Sequence, residues 1–98
     1  MTLAALGYKF GPTAELSLPR SSSITAVVDQ ANNVTAVLSA PPAAELAGYL
    51  RRNLPQAGFM ITRDNGQTSQ PAITFTGHGW SGSFTGDERA SAVLLRPG

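Results

Sequence analysis

Pro41-Pro42-Ala43-Ala44-Glu45-Leu46-Ala47-Gly48-Tyr49-Leu50-Arg51-Arg52-Asn53-Leu54 has the period of a helix in a chain that otherwise alternates like β-strand. Leu46, Tyr49, Leu50 and Leu54 recur at i, i+3, i+4 and i+8, one apolar stripe along a helix. Proline is tolerated in the first turn because the N–H it lacks would be unpaired there. Ser39 or Ala40 falls at the N-cap, and Ser39 is the better acceptor. Arg51 and Arg52 suit the negative end of the helix dipole. Pro55 disfavours helical backbone at Leu54, so regular helix is expected to end near Asn53, with Gly58 as a left-handed stop.

Outward from the helix the period changes to two. Upstream, Ile24-Thr25-Ala26-Val27-Val28-Asp29 and Val34-Thr35-Ala36-Val37-Leu38 alternate around Gln30-Ala31-Asn32-Asn33, which reads as a β-hairpin. Pairing Val28 with Val34, Ala26 with Ala36 and Ile24 with Leu38 gathers the larger residues on one face around a three-residue loop. Downstream come Phe59-Met60-Ile61-Thr62-Arg63, Ala72-Ile73-Thr74-Phe75-Thr76, Trp80-Ser81-Gly82-Ser83-Phe84 and Ala90-Ser91-Ala92-Val93-Leu94-Leu95. Asp64-Asn65-Gly66 and Gly77-His78-Gly79 punctuate them as turns. A two-residue turn at His78-Gly79 sets Phe75 opposite Gly82 and Ile73 opposite Phe84, one apolar ladder in which a ring shields bare glycine backbone. The competing three-residue loop pairs Thr76 with Trp80 and Phe75 with Ser81, mixing polar and apolar neighbours.

The order β-β-α-β-β-β-β gives an α+β fold: a two-layer sandwich, a single helix packed on a mostly antiparallel twisted sheet. Its core is expected to hold Ile24, Val28, Val34, Leu38, Leu46, Leu50, Phe59, Ile61, Ile73, Phe75, Phe84 and Leu94. Residues 16–98 form the single domain in this reading. Residues 1–15 are a partly ordered lead-in, since Gly7, Gly11 and Pro12 interrupt them and chain termini are often loose. Glu15-Leu16-Ser17-Leu18 alternates and suits a short strand ending at Pro19. Leu3-Ala4-Ala5-Leu6 is apolar but too short for a complete signal peptide.

Composition bounds the function. The 98 residues suffice for one modest core. Charged residues are 13 % of the chain, about half the usual ~25 %. The net charge of +1 lacks the basic stripe of a nucleic-acid binder. No apolar run reaches the ~18 residues that a membrane span requires. Cysteine is absent and His78 is the only histidine, so disulfide scaffolds, zinc fingers and thiol catalysis are excluded or poorly supplied.

Tyr49 through Leu54-Pro55-Gln56-Ala57-Gly58-Phe59 resembles a Tyr-x4-Leu-Pro-x-Ala-Gly-aromatic pattern. The pattern is that of small extracytoplasmic domains in actinobacterial lipoproteins and secreted proteins of unknown function. Leu18-Pro19 and the Ile24-Thr25 hairpin resemble the opening of the same domains, so the likeness runs over residues 16–95. The position after Gly58 is Phe59 where Trp is commoner, and no lipid-attachment Cys is present. The resemblance implies an extracytoplasmic location, secreted or lipid-anchored, and a mature domain in the lipoprotein case. It implies no catalytic residues.

Candidate chemistry is sparse. His78 lacks a Gly-x-Ser-x-Gly elbow, although Ser81, Ser83 and Asp87 are near in sequence, and reads as a turn residue whose loss is nearly silent. Gly77-His78-Gly79-Trp80-Ser81-Gly82 has neither the Lys nor the following helix of a phosphate loop. Asp87 and Glu88 are a carboxylate pair on an exposed turn, where nothing raises a pKa for acid catalysis. Asp64-Asn65-Gly66 lacks the ligand spacing of a calcium loop. Asn33-Val34-Thr35 fits the glycosylation sequon, but Asn33 more simply serves the turn. Tyr49, Phe59, Trp80 and Phe84 are the candidate ligand-binding set, able to line an apolar pocket between helix and sheet if they crowd one end of it. No catalytic residue, metal ligand or cofactor is expected. The reading is a non-catalytic extracytoplasmic binding or scaffolding domain of a bacterial secreted protein or lipoprotein, its partner a protein or an apolar ligand that the sequence does not identify; the alternative is a binder of a small apolar ligand or envelope lipid in that pocket.

Overall fold

The computed structural model describes residues 1–98. The elements are β1 Ser23–Gln30, β2 Asn33–Ala40, α1 Ala43–Gln56, β3 Met60–Asp64, β4 Ala72–Gly77, β5 Trp80–Gly86 and β6 Ser91–Pro97. The strands form one sheet in the order β1-β2-β6-β5-β4-β3, with every neighbouring pair antiparallel. Because β6 inserts between β2 and β5, α1 carries the chain across the sheet to its far edge. The fold is α+β, one helix against a six-stranded antiparallel sheet.

One face of the sheet is buried. Val34 and Leu38 of β2, Val93 and Leu95 of β6, Phe84 of β5, and Ile73 and Phe75 of β4 meet Leu46, Leu50 and Leu54 of α1. Two residues expected in this core stand on the other face. Leu94 pairs with Ser83 and Thr35, while its neighbours Val93 and Leu95 point inward. The run Val93-Leu94-Leu95 is apolar throughout, so alternation alone cannot fix its phase.

Val28 is displaced for a different reason. The first hairpin turns on two residues, Ala31-Asn32, so Val28 pairs with Thr35 and Asp29 with Val34. A bulge between Ile24 and Ala26 then restores the expected pairing of Ile24 with Leu38. The shift faces Asp29 toward the covered side, where its carboxylate accepts the N–H groups of Lys9 at 2.9 Å and Phe10 at 3.0 Å. A long-range anchor thus sets the register against the local alternation.

The second hairpin follows the two-residue register, with Gly77 opposite Trp80, Phe75 opposite Gly82 and Ile73 opposite Phe84. His78 and Gly79 both take positive φ, 54° and 80°, as a type I′ turn requires. A Cβ on Gly82 would lie 2.4 Å from two atoms of the Phe75 ring, so the ring occupies the space a side chain would fill.

Residues 1–18 complete the layer that covers the sheet. Leu3, Tyr8, Leu16 and Leu18 are buried in the same core as α1, so residues 1–15, expected as a lead-in before the domain, supply part of its interior. Thr2 bridges Ser17, and Leu3 N–H bonds Leu16 O at 3.0 Å. Glycine and proline here mark tight turns within a packed loop. Tyr8 donates its hydroxyl to Thr35 O at 2.9 Å; burial, reinforced by nearby Asp29, pushes its pKa above the usual phenol value.

The helix begins later and ends later than its sequence suggests. Pro42 is the N-cap and brings no side-chain acceptor, and its carbonyl takes the N–H groups of both Glu45 and Leu46. Pro55 lies inside the last turn. The helix still closes, because the terminal bonds come from other donors: Phe59 N–H reaches Leu54 O at 2.9 Å and Gly58 N–H reaches Pro55 O at 3.2 Å. This is a Schellman closure around left-handed Gly58, φ 91°, and it delivers Phe59 into the core.

Candidate functional site

The largest concavity is a cleft of about 560 Å³ at one end of the sheet, where the start of α1 meets the β3–β4 loop and the β5–β6 turn. Ala43 and Ala44 line one wall, Thr68, Ser69 and Gln70 the second, and Asp87, Glu88 and Arg89 the third. The cleft is wide and solvated. Its most ordered carboxylate, Asp87, closes its own turn by accepting the N–H groups of Arg89 at 2.8 Å and Ala90 at 3.1 Å. Those bonds hold its carboxyl below the usual carboxylate range, the opposite of what a general acid needs.

His78 stands at the other end, on the β4–β5 turn. Its Nε2 lies 2.7 Å from Ala57 O. A carbonyl only accepts, so the ring carries its proton on Nε2 and donates it to the end of α1. The ring also meets Phe59 edge-on, with centroids 4.9 Å apart. His78 therefore fastens the hairpin to the helix terminus, a role that its sequence position did not suggest. No signal at residues 77–79 marks it; it depends on where Gly58 reverses the chain.

The aromatic set does not converge on a cavity. Phe84 is fully buried under the helix, and Phe59 packs edge-on against Phe75, centroids 5.6 Å apart. Tyr49 is half-buried and shares a 2.9 Å hydrogen bond with Ser17 Oγ, tying α1 to the N-terminal segment. Trp80 is half-buried at the strand start, opposite Gly77 and Pro97. None of the four clefts on the molecule is lined by any of these residues. The rings fill the helix–sheet interface themselves.

One ion pair ties the helix to the sheet edge. Arg51 on α1 grips Asp64 at the end of β3 with Nε at 2.6 Å and a terminal nitrogen at 2.9 Å. That fork, with the Gly66 N–H, holds the Asp64 carboxyl down to about 2. Asn33 accepts the Thr35 hydroxyl at 2.9 Å beside the first turn. No three His, Cys, Asp or Glu side chains gather as a metal-binding group. No helix is long and apolar enough to cross a membrane. Comparisons with protein-family models, with curated proteins and with solved structures give no match.

Proposed function

We propose that the chain is a non-catalytic binding or scaffolding domain of a bacterial secreted protein or lipoprotein, working outside the cytoplasm. One observation carries this reading: the single histidine and every aspartate put their side chains to holding the fold, and they do not gather in one cavity. His78 secures the end of α1, Asp87 closes a turn, Asp64 pairs with Arg51 and Asp29 anchors the N-terminal segment. The aromatic set fills the interior rather than lining a space. What this leaves for a partner is surface. The extracytoplasmic location is supported by the resemblance of the Tyr49–Phe59 pattern to small extracytoplasmic domains.

The test removes proton chemistry while keeping the two turns in shape. In a host lacking the gene, the full-length protein carrying H78N, D87N and E88Q is expected to restore the phenotype. An amide at position 87 still accepts the two turn N–H groups, and an amide at 78 suits left-handed backbone. Failure to complement, with the variant folded and at normal abundance, contradicts a non-catalytic role. A fusion of the full reading frame to alkaline phosphatase, active only after export, is expected to be active; an inactive fusion contradicts the location.

A further inference from the structure

Asn65-Gly66, in the exposed β3–β4 loop, is the one Asn-Gly pair in the chain. In such a pair the backbone nitrogen of the glycine reaches the side-chain carbonyl carbon of the asparagine with least hindrance, because glycine has no side chain and its backbone is free to turn. Asn32, Asn33 and Asn53 are followed by Asn33, Val34 and Leu54, whose side chains obstruct the same approach.

The Asn65 side chain holds this loop together. Its Oδ1 accepts the N–H groups of Gln67 at 3.1 Å and Ala72 at 3.0 Å, and its Nδ2 donates to Gln70 O at 3.0 Å. Thr68, Ser69 and Gln70 of the same loop form one wall of the cleft at the start of α1. The glycine nitrogen is engaged as well: Gly66 N–H donates to Asp64 Oδ1 at 2.9 Å, and Arg51 holds that carboxylate in place.

We propose that Asn65 is a self-modification site, an asparagine that deamidates through a cyclic imide when the loop opens and thereby releases one wall of the cleft. Gly66 N, giving its proton to solvent base, bonds to Asn65 Cγ; the Cγ–Nδ2 bond breaks and Nδ2 leaves as ammonia. Water then opens the imide at either carbonyl, leaving aspartate or isoaspartate at position 65. Water is the only co-reactant, so no catalytic group is required. Either product has a carboxylate where Nδ2 was a donor, which turns the bond to Gln70 O into a contact between two acceptors. Isoaspartate also adds a backbone carbon to a loop closed by Asn65 N–H on Ala72 O at 3.1 Å. In the folded chain both reacting groups must first leave their partners. An exposed loop opens locally without global unfolding, so the reaction runs in the native protein but more slowly than in the unfolded chain.

The experiment is peptide mapping by mass spectrometry after incubation of the full chain at mildly alkaline pH, folded and in guanidinium chloride. Aspartate and isoaspartate are expected to accumulate at position 65 ahead of Asn32, Asn33 and Asn53, and several-fold more slowly in the folded chain than in the unfolded one. D64A frees the Gly66 N–H and removes the neighbouring negative charge. It is expected to speed the folded chain several-fold and to leave the rate in guanidinium, where salt screens charge, as in wild type. N65D, one of the two products, is expected to show faster amide exchange than wild type at Gln67 and Ala72. A folded chain whose Asn65 stays intact while the unfolded chain converts overturns the proposal. So do equal rates in the folded and unfolded chains, a folded D64A chain no faster than wild type, or an N65D chain with wild-type exchange at both amides.

Discussion

Gly82→Ala is the sharpest perturbation of the account of the core. The added Cβ would sit 2.4 Å from Cε2 and Cζ of Phe75 and 2.9 Å from Cδ2 of Leu95. Carbon atoms in contact prefer about 3.5–4.0 Å, so the ring must retreat by more than about 1 Å. It has nowhere to go, since Phe75 is 1 % exposed and held edge-on by Phe59. Overpacking of this kind costs roughly 1–3 kcal/mol, and a trapped ring places the cost near about 3. Alanine regains about 0.5–1 kcal/mol over glycine in backbone entropy. The net destabilisation is thus about 2 kcal/mol, a large part of a small domain's stability. Urea denaturation reads it directly. Phe75→Leu in the same chain removes the clashing ring atoms, so adding Gly82→Ala to that background should cost much less, with a coupling of about 1–2 kcal/mol. A single variant within about 0.5 kcal/mol of wild type, or costs that simply add, would refute the ring-over-glycine reasoning.

Leu95→Ala should lose ~2–5 kcal/mol in urea melts while Leu94→Ala, on the open face, loses less than about 1, and equal losses would put β6 in the wrong phase. Leu3→Ala should likewise cost ~2–5 kcal/mol, which a loose N-terminal segment would not show. The depressed Asp64 carboxyl, about 2 against an ordinary 3.8, stabilises the fold above its unfolded pKa and loses that contribution as pH falls toward its folded value. Solvent screening of this part-exposed pair limits the contribution to about 0.5–1 kcal/mol, so Asp64→Asn should show that deficit at pH 7 and only a small remnant of it near about pH 2, by urea melts at each pH.

The elements and their order were legible because each carries a clean period: 3.6 through Leu46, Leu50 and Leu54, and two through Ile73 and Phe75. The second hairpin register was legible too, since glycine opposite a ring makes local pattern and tertiary packing agree. The first register was misread because Asp29 answers to Lys9 and Phe10, and no short window contains both sides of that bond. The N-terminal segment was opaque for the same reason: Leu3, Tyr8, Leu16 and Leu18 follow no period and are gathered by turns. Of the candidate site, the residue types could be listed but their employment could not. Whether Phe59 and Phe84 line a space or fill it depends on how closely α1 sits on the sheet.

His78 fastens the β4–β5 turn to the end of α1, and its removal weighs that structural duty alone. Unfolding free energy of His78→Ala, measured by urea denaturation, reads the loss of the 2.7 Å bond to Ala57 O and of the edge contact with Phe59. It also reads the strain of alanine at a left-handed position, φ 54°. One hydrogen bond contributes about 1 kcal/mol, and the two effects together predict a loss of about 1–2 kcal/mol. A His78→Ala chain as stable as wild type would contradict the account, since it would leave the imidazole with no structural task and free for a chemical one.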